Sequence, residues 1–381
     1  GRPRRTATPM THDVVVVGGG PAGIAVASTL HRAGVDVVVV DGGGRTRSWI
    51  AQSAPPGTDR VACELVGASA FDANAHLRAL GSRSAWGNNQ LALTDFMFNP
   101  FGTGWHLDRG AFDERLIDTA EHAGVTVMRG HTVVASERRP DRTWTLTFDA
   151  GDSARAITAR VVCDASGRRA TIARSHGATT ARADQLVAVT AVTARADDDD
   201  DLTSTVQAVP DGWWYTAPVP GDRRAFAFFT DADRLDRSIT KDTGTYALAM
   251  HAADHVAALA PDMATSTETR QPSVYAAGTR ALSSVVGPGW IAAGDAAATF
   301  DPLSSQGILT ALLTGREGAH TILRLLEDDR AASRAAAARD YTGTWDRVID
   351  EYDREHAAWF AAEHRFGDRP FWARRRTRTA A

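Results

Sequence analysis

The apolar positions of the first forty residues follow the pattern of a parallel βαβ unit. "DVVVV" at 13–17 and "VDVVVVD" at 35–41 are β-branched runs without alternation, which is typical of strands buried on both faces. Between them, "GGGPAG" opens a segment with helical character that continues to about Gly34. The spacing predicts two neighbouring parallel strands joined by a helix.

The pattern then changes several times before residue 180. We expect residues 43–105, rich in Gly, Ser and Asn, to be irregular, and residues 109–124 to form a helix. "HTVVASER" and "TWTLTFDA" alternate apolar and polar positions and therefore predict an antiparallel hairpin. "ARVVCDASG" at 159–167 predicts a further central strand that ends in a glycine turn.

From about residue 183 to residue 291 the pattern is mostly that of short strands, interrupted by one helix in "TYALAMHAADHVAALAP". "GPGWIAAGDAA" predicts a last strand that returns to the first sheet. "DPLSSQG" at 301–307 is interpreted as a helix entrance because apolar residues recur after it at helical spacing. These residues are Ile308, Ala311, Leu312, Gly315, Ala319, Ile322 and Leu325.

The order of elements predicts an α/β fold with a Rossmann-like dinucleotide-binding domain. That domain is expected to comprise residues 10–180 and 283–330. A mostly antiparallel β-sheet domain, residues 181–282, is expected to be inserted in it and to bind substrate. Residues 331–381 should form a C-terminal helical segment with a basic tail, and residues 1–9 a disordered tail.

Composition excludes several classes of protein. The 381 residues are 43% hydrophobic, enough for a sizeable core, and a net charge of -4 does not suit a nucleic-acid binder. Cys63 and Cys163 are too few for a disulfide framework, which favours a reducing, cytoplasmic compartment. No apolar run is long enough to span a membrane, and "GRPRRTATPM" lacks the apolar region of a secretory signal. Met10 is interpreted as the natural start because the first strand begins directly after it.

Two further patterns have a plain structural interpretation. The run "ADDDDD" at 196–201 is expected to be a solvated hairpin loop. His251 and His255 are four residues apart on a predicted helix, as in a metal site, but no third ligand is near them in the sequence. We therefore expect an exposed helix face and no metal.

The turn after the first strand carries a dinucleotide-binding pattern. Gly18, Gly20 and Gly23 form GxGxxG between a predicted strand and a predicted helix, with Pro21 and Ala22 inside it. The first glycine permits the tight turn, the second lets backbone approach a pyrophosphate, and the third allows helix–strand packing. Asp41 ends the second strand, 18 residues past Gly23, where an acid can bind ribose hydroxyls. NAD and FAD fit this pattern equally.

A second motif decides for FAD. Gly294-Asp295 followed by "DPLSSQG" resembles the second flavin fingerprint of the FAD-dependent monooxygenase and halogenase superfamily. The resemblance implies that Asp295 accepts hydrogen bonds from the ribityl chain. It also implies that the segment after Asp301 aims N–H groups at the flavin N1–C2=O edge, where a helix N-terminus stabilises negative charge. The residues assigned to this segment are Pro302, Ser305, Gln306, Gly307 and Ile308.

The same resemblance extends to other segments. It assigns Arg47 and Arg109, the latter in "GWHLDRGAFDERL", to the cofactor, and Val133 and Val134 to the adenine through their backbone. "CDASGRRA" at 163–170 resembles the third glycine-containing turn but lacks the DG pattern of NADPH-using hydroxylases. A separate flavin reductase is therefore expected as partner, with NAD(P)H as the alternative direct source of electrons and O2 as co-substrate.

A narrower resemblance covers about residues 13–376. "SAWGNN", "FNPFGTGWHLDR", "DGWWYTAPVP", "FDPLSSQGI" and "HRFGDRPFWARR" resemble the tryptophan-halogenase-like flavoproteins that include maturases of quinone-cofactor oxidases. Those maturases imply oxygenation of a tryptophan carried by a protein or peptide. Flavin-dependent halogenases use an active-site lysine and a GWxWxIP sequence, but residues 1–240 contain no lysine and "DGWWYTAP" replaces that sequence. Hydroxylation is therefore preferred to halogenation.

The resulting hypothesis is a monooxygenase that hydroxylates an indole through a flavin C4a-hydroperoxide. Trp105, Trp213 and Trp214 are candidates for substrate binding, although core packing is the alternative for each. His106 and Tyr215 are the candidate catalytic residues. A halogenase and a flavoprotein that only carries electrons or binds a partner remain alternatives.

Overall fold

The computed structural model describes residues 10–43, 52–67, 70–149, 154–260, 263 and 268–376. The expected N-terminal tail, Arg47 and residues 377–381 lie outside this part of the chain. The helices are α1 (Pro21–Arg32), α2 (Thr58–Val66), α3 (Arg109–His122), α4 (Thr171–Ser175), α5 (Thr243–Met250), α6 (Asp254–Ala257), α7 (Gly307–Glu327), α8 (Ala331–Ala362) and α9 (Pro370–Arg376). None of these helices is long and apolar enough to cross a bilayer.

The strands run through the whole described chain up to residue 299. They are β1 (Met10–Val17), β2 (Val37–Asp41), β3 (Gln52–Ala54), β4 (Leu77–Ala79), β5 (Gly81–Ala85), β6 (Ala92–Asp95), β7 (Gly104–Leu107), β8 (Thr126–Arg129), β9 (Thr132–Arg138), β10 (Trp144–Asp149), β11 (Ala154–Asp164), β12 (Thr180–Arg182), β13 (Leu186–Ala194), β14 (Thr203–Val209), β15 (Gly212–Val219), β16 (Arg223–Asp231), β17 (Ser273–Ala276), β18 (Arg280–Leu282), β19 (Val286–Gly287), β20 (Trp290–Ala292) and β21 (Ala298–Thr299).

The first sheet has the order β19-β20-β11-β1-β2-β8, in which the strands from β20 to β8 are parallel. The hairpin of β9 and β10 extends it through an antiparallel pairing with β11. The valines of β1 and β2 are buried because helices cover both faces of a parallel sheet. The predicted βαβ unit, hairpin, central strand and last strand are confirmed, and so is the α/β fold class.

The second sheet has the order β17-β13-β16-β15-β14-β5-β6 and is antiparallel except at the β14–β5 pair. Two of its strands, β5 and β6, come from the segment that was expected to be irregular. That expectation was wrong: residues 52–107 hold α2 and five short strands. β6 lacks an apolar pattern because all of its residues are exposed, so pairing with its neighbours defines it.

The helix expected around residues 245–261 is broken. α5 ends at Met250, and α6 begins only at Asp254, so His251 and His255 do not share one helix. His255 Nε2 lies 2.7 Å from the backbone oxygen of Asn89 and donates to it. Within the described residues no group of three metal-ligating side chains exists.

The acidic run is only partly a solvated loop, which corrects the expectation for it. Asp199 is almost fully buried and accepts hydrogen bonds from the wholly buried Arg224, at 2.7 Å from Nε and 2.9 Å from Nη2. Asp201 accepts from Arg83 Nη1 at 2.8 Å. An arginine that points inward from β16 requires a carboxylate, and this segment provides it.

The entrance to α7 is built in two steps. Asp301 Oδ1 accepts from Leu303 N at 3.0 Å and caps a short 3-10 turn, Pro302–Ser304. Ser305 then adopts a left-handed conformation with φ 53°, and α7 begins at Gly307. Asp301 therefore caps this short turn and not the long helix, because the chain turns once more before the helix starts.

Candidate cofactor and active site

The three glycines of GxGxxG have different surroundings at the carboxyl end of β1. Gly18 has φ 111°, and a Cβ there would collide with the backbone oxygen of Ala165. A Cβ on Gly23 would collide with the backbone oxygen of Gly18. Gly20 precedes α1 without a side-chain cap, and a Cβ there would meet nothing within 4 Å. Gly18 and Gly23 thus permit the turn, while Gly20 leaves the N-terminus of α1 open to the approach of an anion.

Asp41 lies beside this turn. It is buried at the end of β2, and its Oδ1 accepts from Gly19 N at 3.0 Å. The backbone oxygen of Asp41 accepts from His131 N at 3.0 Å, which places the start of β9 next to it. In β9, Val133 is buried and Val134 is exposed, and a bulge leaves Val134 without an opposite residue in the ladder to β10. The structure therefore brings these three assigned residues to one edge of the sheet.

Asp295 approaches the glycine turn from the other side. It lies in a short turn after β20, and a Cβ on the preceding Gly294 would be 2.6 Å from Ala22 Cβ. Asp295 lines a small pocket and keeps an exposed side chain there. Desolvation by these walls raises the pKa of Asp295, while the charges of Arg168, Arg109 and Arg280 lower it. The pocket is lined by Arg168, Ala170, Thr180, Arg280, Ala281, Leu282, Asp295, Ala296, Ala297, Ala298 and Thr299.

Arg168 brings an unsatisfied cation to the same pocket. It follows the "DASG" turn, which the buried Asp164 ties together by accepting from Ser166, Ile172 and Ala173. Arg168 Nη1 is buried and has no hydrogen-bond partner among the described residues. Burial lowers the pKa of Arg168, and the nearby Asp295 raises it. An orphaned guanidinium N–H of this kind suits an anionic ligand.

Arg109 occupies the predicted position at the start of a helix. It is the first residue of α3, whose cap is Asp108. Arg109 Nε donates to Asp113 at 2.8 Å, and Nη1 donates to Gln52 at 2.7 Å. Its charge reaches Asp295, so it belongs to the same electrostatic environment.

The start of α7 provides a second open helix N-terminus. Gln306 precedes the helix without a side-chain cap, and a Cβ on Gly307 would meet nothing within 4 Å. Pro302, Gln306 and Gly307 are exposed, Ser305 is partly buried, and Ile308 packs into the core. α7 packs closely on α1, since a Cβ on Gly315 would lie 2.5 Å from the backbone oxygen of Ala22.

These features fit FAD. The open turn at Gly20 and the orphaned Arg168 suit phosphates, and Asp41 and Asp295 suit ribose and ribityl hydroxyls. The uncapped N-terminus of α7 suits the edge of the ring that gains negative charge on reduction. No metal is needed to explain any of these groups.

His106 and Tyr215 are joined by a serine that the sequence did not single out. Ser53 Oγ lies 2.8 Å from His106 Nδ1 and 2.8 Å from the Tyr215 hydroxyl. His106 Nε2 lies 3.1 Å from the backbone oxygen of Leu202, which can only accept. Nε2 therefore carries the proton, and Nδ1 accepts from Ser53, which leaves Ser53 to accept from Tyr215. The result is a directed chain from Tyr215 through Ser53 to His106.

Burial sets the charge of this chain. Desolvation lowers the pKa of His106 to about 4, against the raising effect of the hydrogen bond to Leu202. Desolvation likewise raises the pKa of Tyr215 to about 12. Both groups are thus neutral near pH 7, and the chain can shift a proton without a resident charge.

The three tryptophans proposed for substrate binding lie in different places. Trp105 is buried against Phe71 and beneath the guanidinium of Arg78. Trp213 stacks on Phe229 at 3.8 Å on the face of β15 that also carries Tyr215. The Trp214 side chain projects from the opposite face of β15 and packs among other aromatic residues. Only Trp213 shares a face with the His106–Ser53–Tyr215 chain, and the substrate roles stay predictions.

Sequence reasoning missed Ser53, Arg168 and Arg280. Ser53 lies in a segment without apolar pattern, so its pairing with His106 across β3 and β7 could not be derived. Arg168 belongs to the quoted "CDASGRRA" segment, where its position after the glycine turn was an available signal. Arg280 lies on the short strand β18, which has no distinctive pattern.

Comparison with known proteins places these features in a family. A family model described as "Tryptophan halogenase" matches residues 74–381, and one described as "FAD binding domain" matches residues 11–49. LodB of Marinomonas mediterranea, named as an FAD-dependent oxidoreductase, is 27% identical over 96% of this chain and 97% of its own length. A menaquinone reductase of Mycobacterium tuberculosis is 30% identical, over 81% of this chain and 76% of its own.

Solved structures agree with the fold. The peptidyl tryptophan dihydroxylase QhpG, described as essential for tryptophylquinone cofactor biogenesis, is 25% identical with a TM-score of 0.79, over 96% of this chain and 78% of its own. The chondrochloren halogenase CndH is 21% identical with a TM-score of 0.83, over 96% and 86%. The latter likeness concerns the fold alone.

Proposed function

Because the chain belongs to the tryptophan halogenase family of FAD-dependent oxidoreductases, we propose that it hydroxylates an indole ring, carried by a tryptophan in a peptide. FAD would be held by the open turn at Gly20, by Asp41 and Asp295, and by the segment before α7. Bound FAD, once reduced, supplies the chemistry that transfers an oxygen atom from O2 to an aromatic carbon. The protein contributes position, exclusion of water and a place for the proton.

The observation that carries hydroxylation is the neutral chain of Tyr215, Ser53 and His106 in a protein without a site lysine. The single lysine, Lys241, is exposed. It follows Ile239, which packs on the Trp214 face of the second sheet, opposite the face of Tyr215. A halogenase of the resembled type relays hypohalous acid through a lysine, and nothing equivalent is available here.

The hydrogen-bonded chain of Tyr215, Ser53 and His106 can take up the proton that the indole ring loses. An indole carbon that has gained oxygen is strongly acidic until its C–H proton leaves, so a weak base suffices. Tyr215 would accept that proton as its own passes to Ser53, and Ser53 would pass its proton to Nδ1 of His106. The low pKa of His106 then favours release of the proton from its imidazolium form.

Similarity supports the peptide substrate. The structure of a peptidyl tryptophan dihydroxylase matches 96% of this chain with a TM-score of 0.79. We propose O2 as co-substrate and a separate flavin reductase as the source of electrons, since "DASG" replaces the pattern of NADPH-using hydroxylases. Halogenation, and electron transfer without oxygenation, are the alternative functions that bound FAD would also support.

A second candidate function is reduction of a quinone such as menaquinone. The menaquinone reductases that are 30% identical to this chain favour it. Against it, the Tyr215 face of the second sheet is rich in aromatic residues, with Trp213, Phe229, Phe360 and Trp372 packed together. Such a reductase needs no oxygen, so oxygen dependence separates the two functions.

The experiment uses FAD-loaded protein that has been photoreduced without oxygen. It is mixed either with menaquinone in the absence of air, or with aerated buffer containing a tryptophan peptide. We expect oxidised flavin to return only with oxygen, and modified peptide to accumulate. Reoxidation by menaquinone alone would support the reductase, and reoxidation by oxygen with peroxide as the sole product would contradict hydroxylation.

A further inference from the structure

Asp301, the first residue of the segment before α7, has one carboxyl oxygen that its own loop does not satisfy. Oδ1 caps the short turn by accepting from Leu303 N at 3.0 Å. Oδ2 is buried and has no hydrogen-bond partner among the described residues, and the side chain is fully buried. A buried carboxylate oxygen without a partner is costly, so whatever faces Oδ2 controls this loop.

The group that faces it is His356 of α8. His356 Nε2 lies 3.5 Å from Asp301 Oδ2, at ion-pair distance, and the His356 side chain is only 5% exposed. Nε2 is itself buried without a hydrogen-bond partner in the described part of the chain. Asp301 Oδ2 and His356 Nε2, two polar atoms without hydrogen-bond partners, thus face each other although their residues are 55 positions apart in the sequence. This arrangement indicates a specific pairing.

One turn earlier on α8, Tyr352 makes a second contact with the same residue. The Asp301 backbone N–H donates to the Tyr352 hydroxyl at 3.1 Å, and that hydroxyl lies 2.8 Å from Thr279 Oγ1. The His356 ring is held between Tyr352 and Phe360, with ring centroids 5.3 Å and 4.4 Å away. Packing between these rings therefore holds the imidazole in place, and turning it away from Asp301 would be costly.

We propose that His356 is a positioning residue for the flavin: through Asp301 it fixes the segment whose N–H groups face the reactive edge of FAD. This inference rests on the FAD-binding part of the proposed function and is independent of hydroxylation. It predicts that α8, which has no residue in the cofactor motifs, controls how tightly FAD binds and how readily bound FAD is reduced. Loss of His356 would leave Asp301 Oδ2 buried beside apolar carbon and displace the loop.

The test compares three variants by titrating FAD into apo-protein and following the quenching of flavin fluorescence. His356→Leu should weaken FAD binding by about tenfold or more, as expected when a buried charged group loses its partner. His356→Gln, which keeps a donor, should restore affinity to within about threefold of the wild type. His255→Leu is the matched control: this histidine donates to the backbone oxygen of Asn89, on the β5–β6 side of the second sheet, and FAD affinity should stay unchanged.

Two further readouts separate positioning from general stability. The reduction potential of bound FAD should fall in His356→Leu, because fewer aligned N–H groups stabilise the reduced ring, and should recover in His356→Gln. In an Asp301→Asn background, which keeps the turn cap but removes the charge, His356→Leu should cost far less affinity than it does alone.

Unchanged FAD affinity and potential in His356→Leu would overturn the inference, as would an equal loss with and without Asp301→Asn. If His356→Leu does not fold, His356→Phe takes its place. A lower reduction potential of bound FAD in His356→Phe, restored by Asp301→Asn, would support the inference, and an unchanged potential would overturn it. The expected losses and recoveries across these variants, together with no product from tryptophan peptides, would instead refute the proposed hydroxylation and leave this pairing supported.

Discussion

Single residues at the first glycine turn have separable roles. Gly23 permits packing, because a Cβ there would strike the backbone oxygen of Gly18. Gly20 has open space around its Cα, so its missing side chain serves a ligand and not the fold. Substitutions at the two positions should therefore fail in different ways.

We expect Gly20→Ala to fold with nearly the wild-type melting temperature and to lose about tenfold or more in FAD affinity. Gly23→Ala should unfold several degrees lower or fail to accumulate, because the backbone must move. Thermal unfolding of the apo-proteins and FAD titration distinguish the two. Full FAD affinity in the Gly20→Ala variant would contradict the assignment of the pyrophosphate to this turn.

His106 makes stability depend on pH in a defined direction. Burial lowers its pKa from 6.5 to about 4, so the folded protein binds this proton less readily than the unfolded chain. The stabilisation is complete above about pH 6.5 and is lost as the pH falls towards 4, by roughly 3 kcal/mol in total. Denaturant unfolding at pH 7 and pH 5 should show a smaller loss in His106→Gln than in the wild type. Equal losses would mean that folding does not lower the pKa of His106.

At the scale of elements, the acidic run between β13 and β14 is a structural part of the second sheet. Although burial opposes it, the hydrogen bonds from Arg224 lower the pKa of Asp199. Asp197, Asp198 and Asp200 remain exposed. One position in the run thus holds the buried arginine, while its neighbours face water.

Asp199→Asn should therefore destabilise the protein by roughly 3 kcal/mol, since it leaves the charge of Arg224 without its partner. Asp198→Asn, one position away, should change stability by no more than about 0.5 kcal/mol. Urea unfolding of both variants provides the measurement. Similar small effects would restore the interpretation of the run as a solvated loop.

Elements with a strong local pattern could be predicted from sequence, and those defined by pairing could not. The uninterrupted valines of β1 and β2 specify buried parallel strands, and the glycine turn between them specifies a nucleotide site. β5 and β6 carry no such pattern, and the helix near residue 250 breaks where three residues leave the helical path. Ser53 joins His106 and Tyr215 only through contacts between distant segments, which spacing along the chain does not reveal.

At the scale of the whole molecule, two layers meet around the candidate site. The parallel sheet with α1 and α7 presents the cofactor residues, and the antiparallel sheet presents Tyr215 and Trp213. α8 connects the two, because Tyr352 and His356 reach Asp301 while Phe360 packs under the second sheet. α8 therefore contacts both the proposed cofactor segment and the second sheet.

The measurement that tests the central claim most directly is mass spectrometry of the product. The protein, FAD, a separate flavin reductase and NADH are incubated with tryptophan-containing peptides, isotopically labelled O2 and bromide in excess. We predict that labelled oxygen enters the indole and that bromine does not, with product formation strongly reduced in Tyr215→Phe. A brominated peptide, or an unmodified peptide after sustained oxidation of NADH, would contradict the assignment of this protein as an indole hydroxylase.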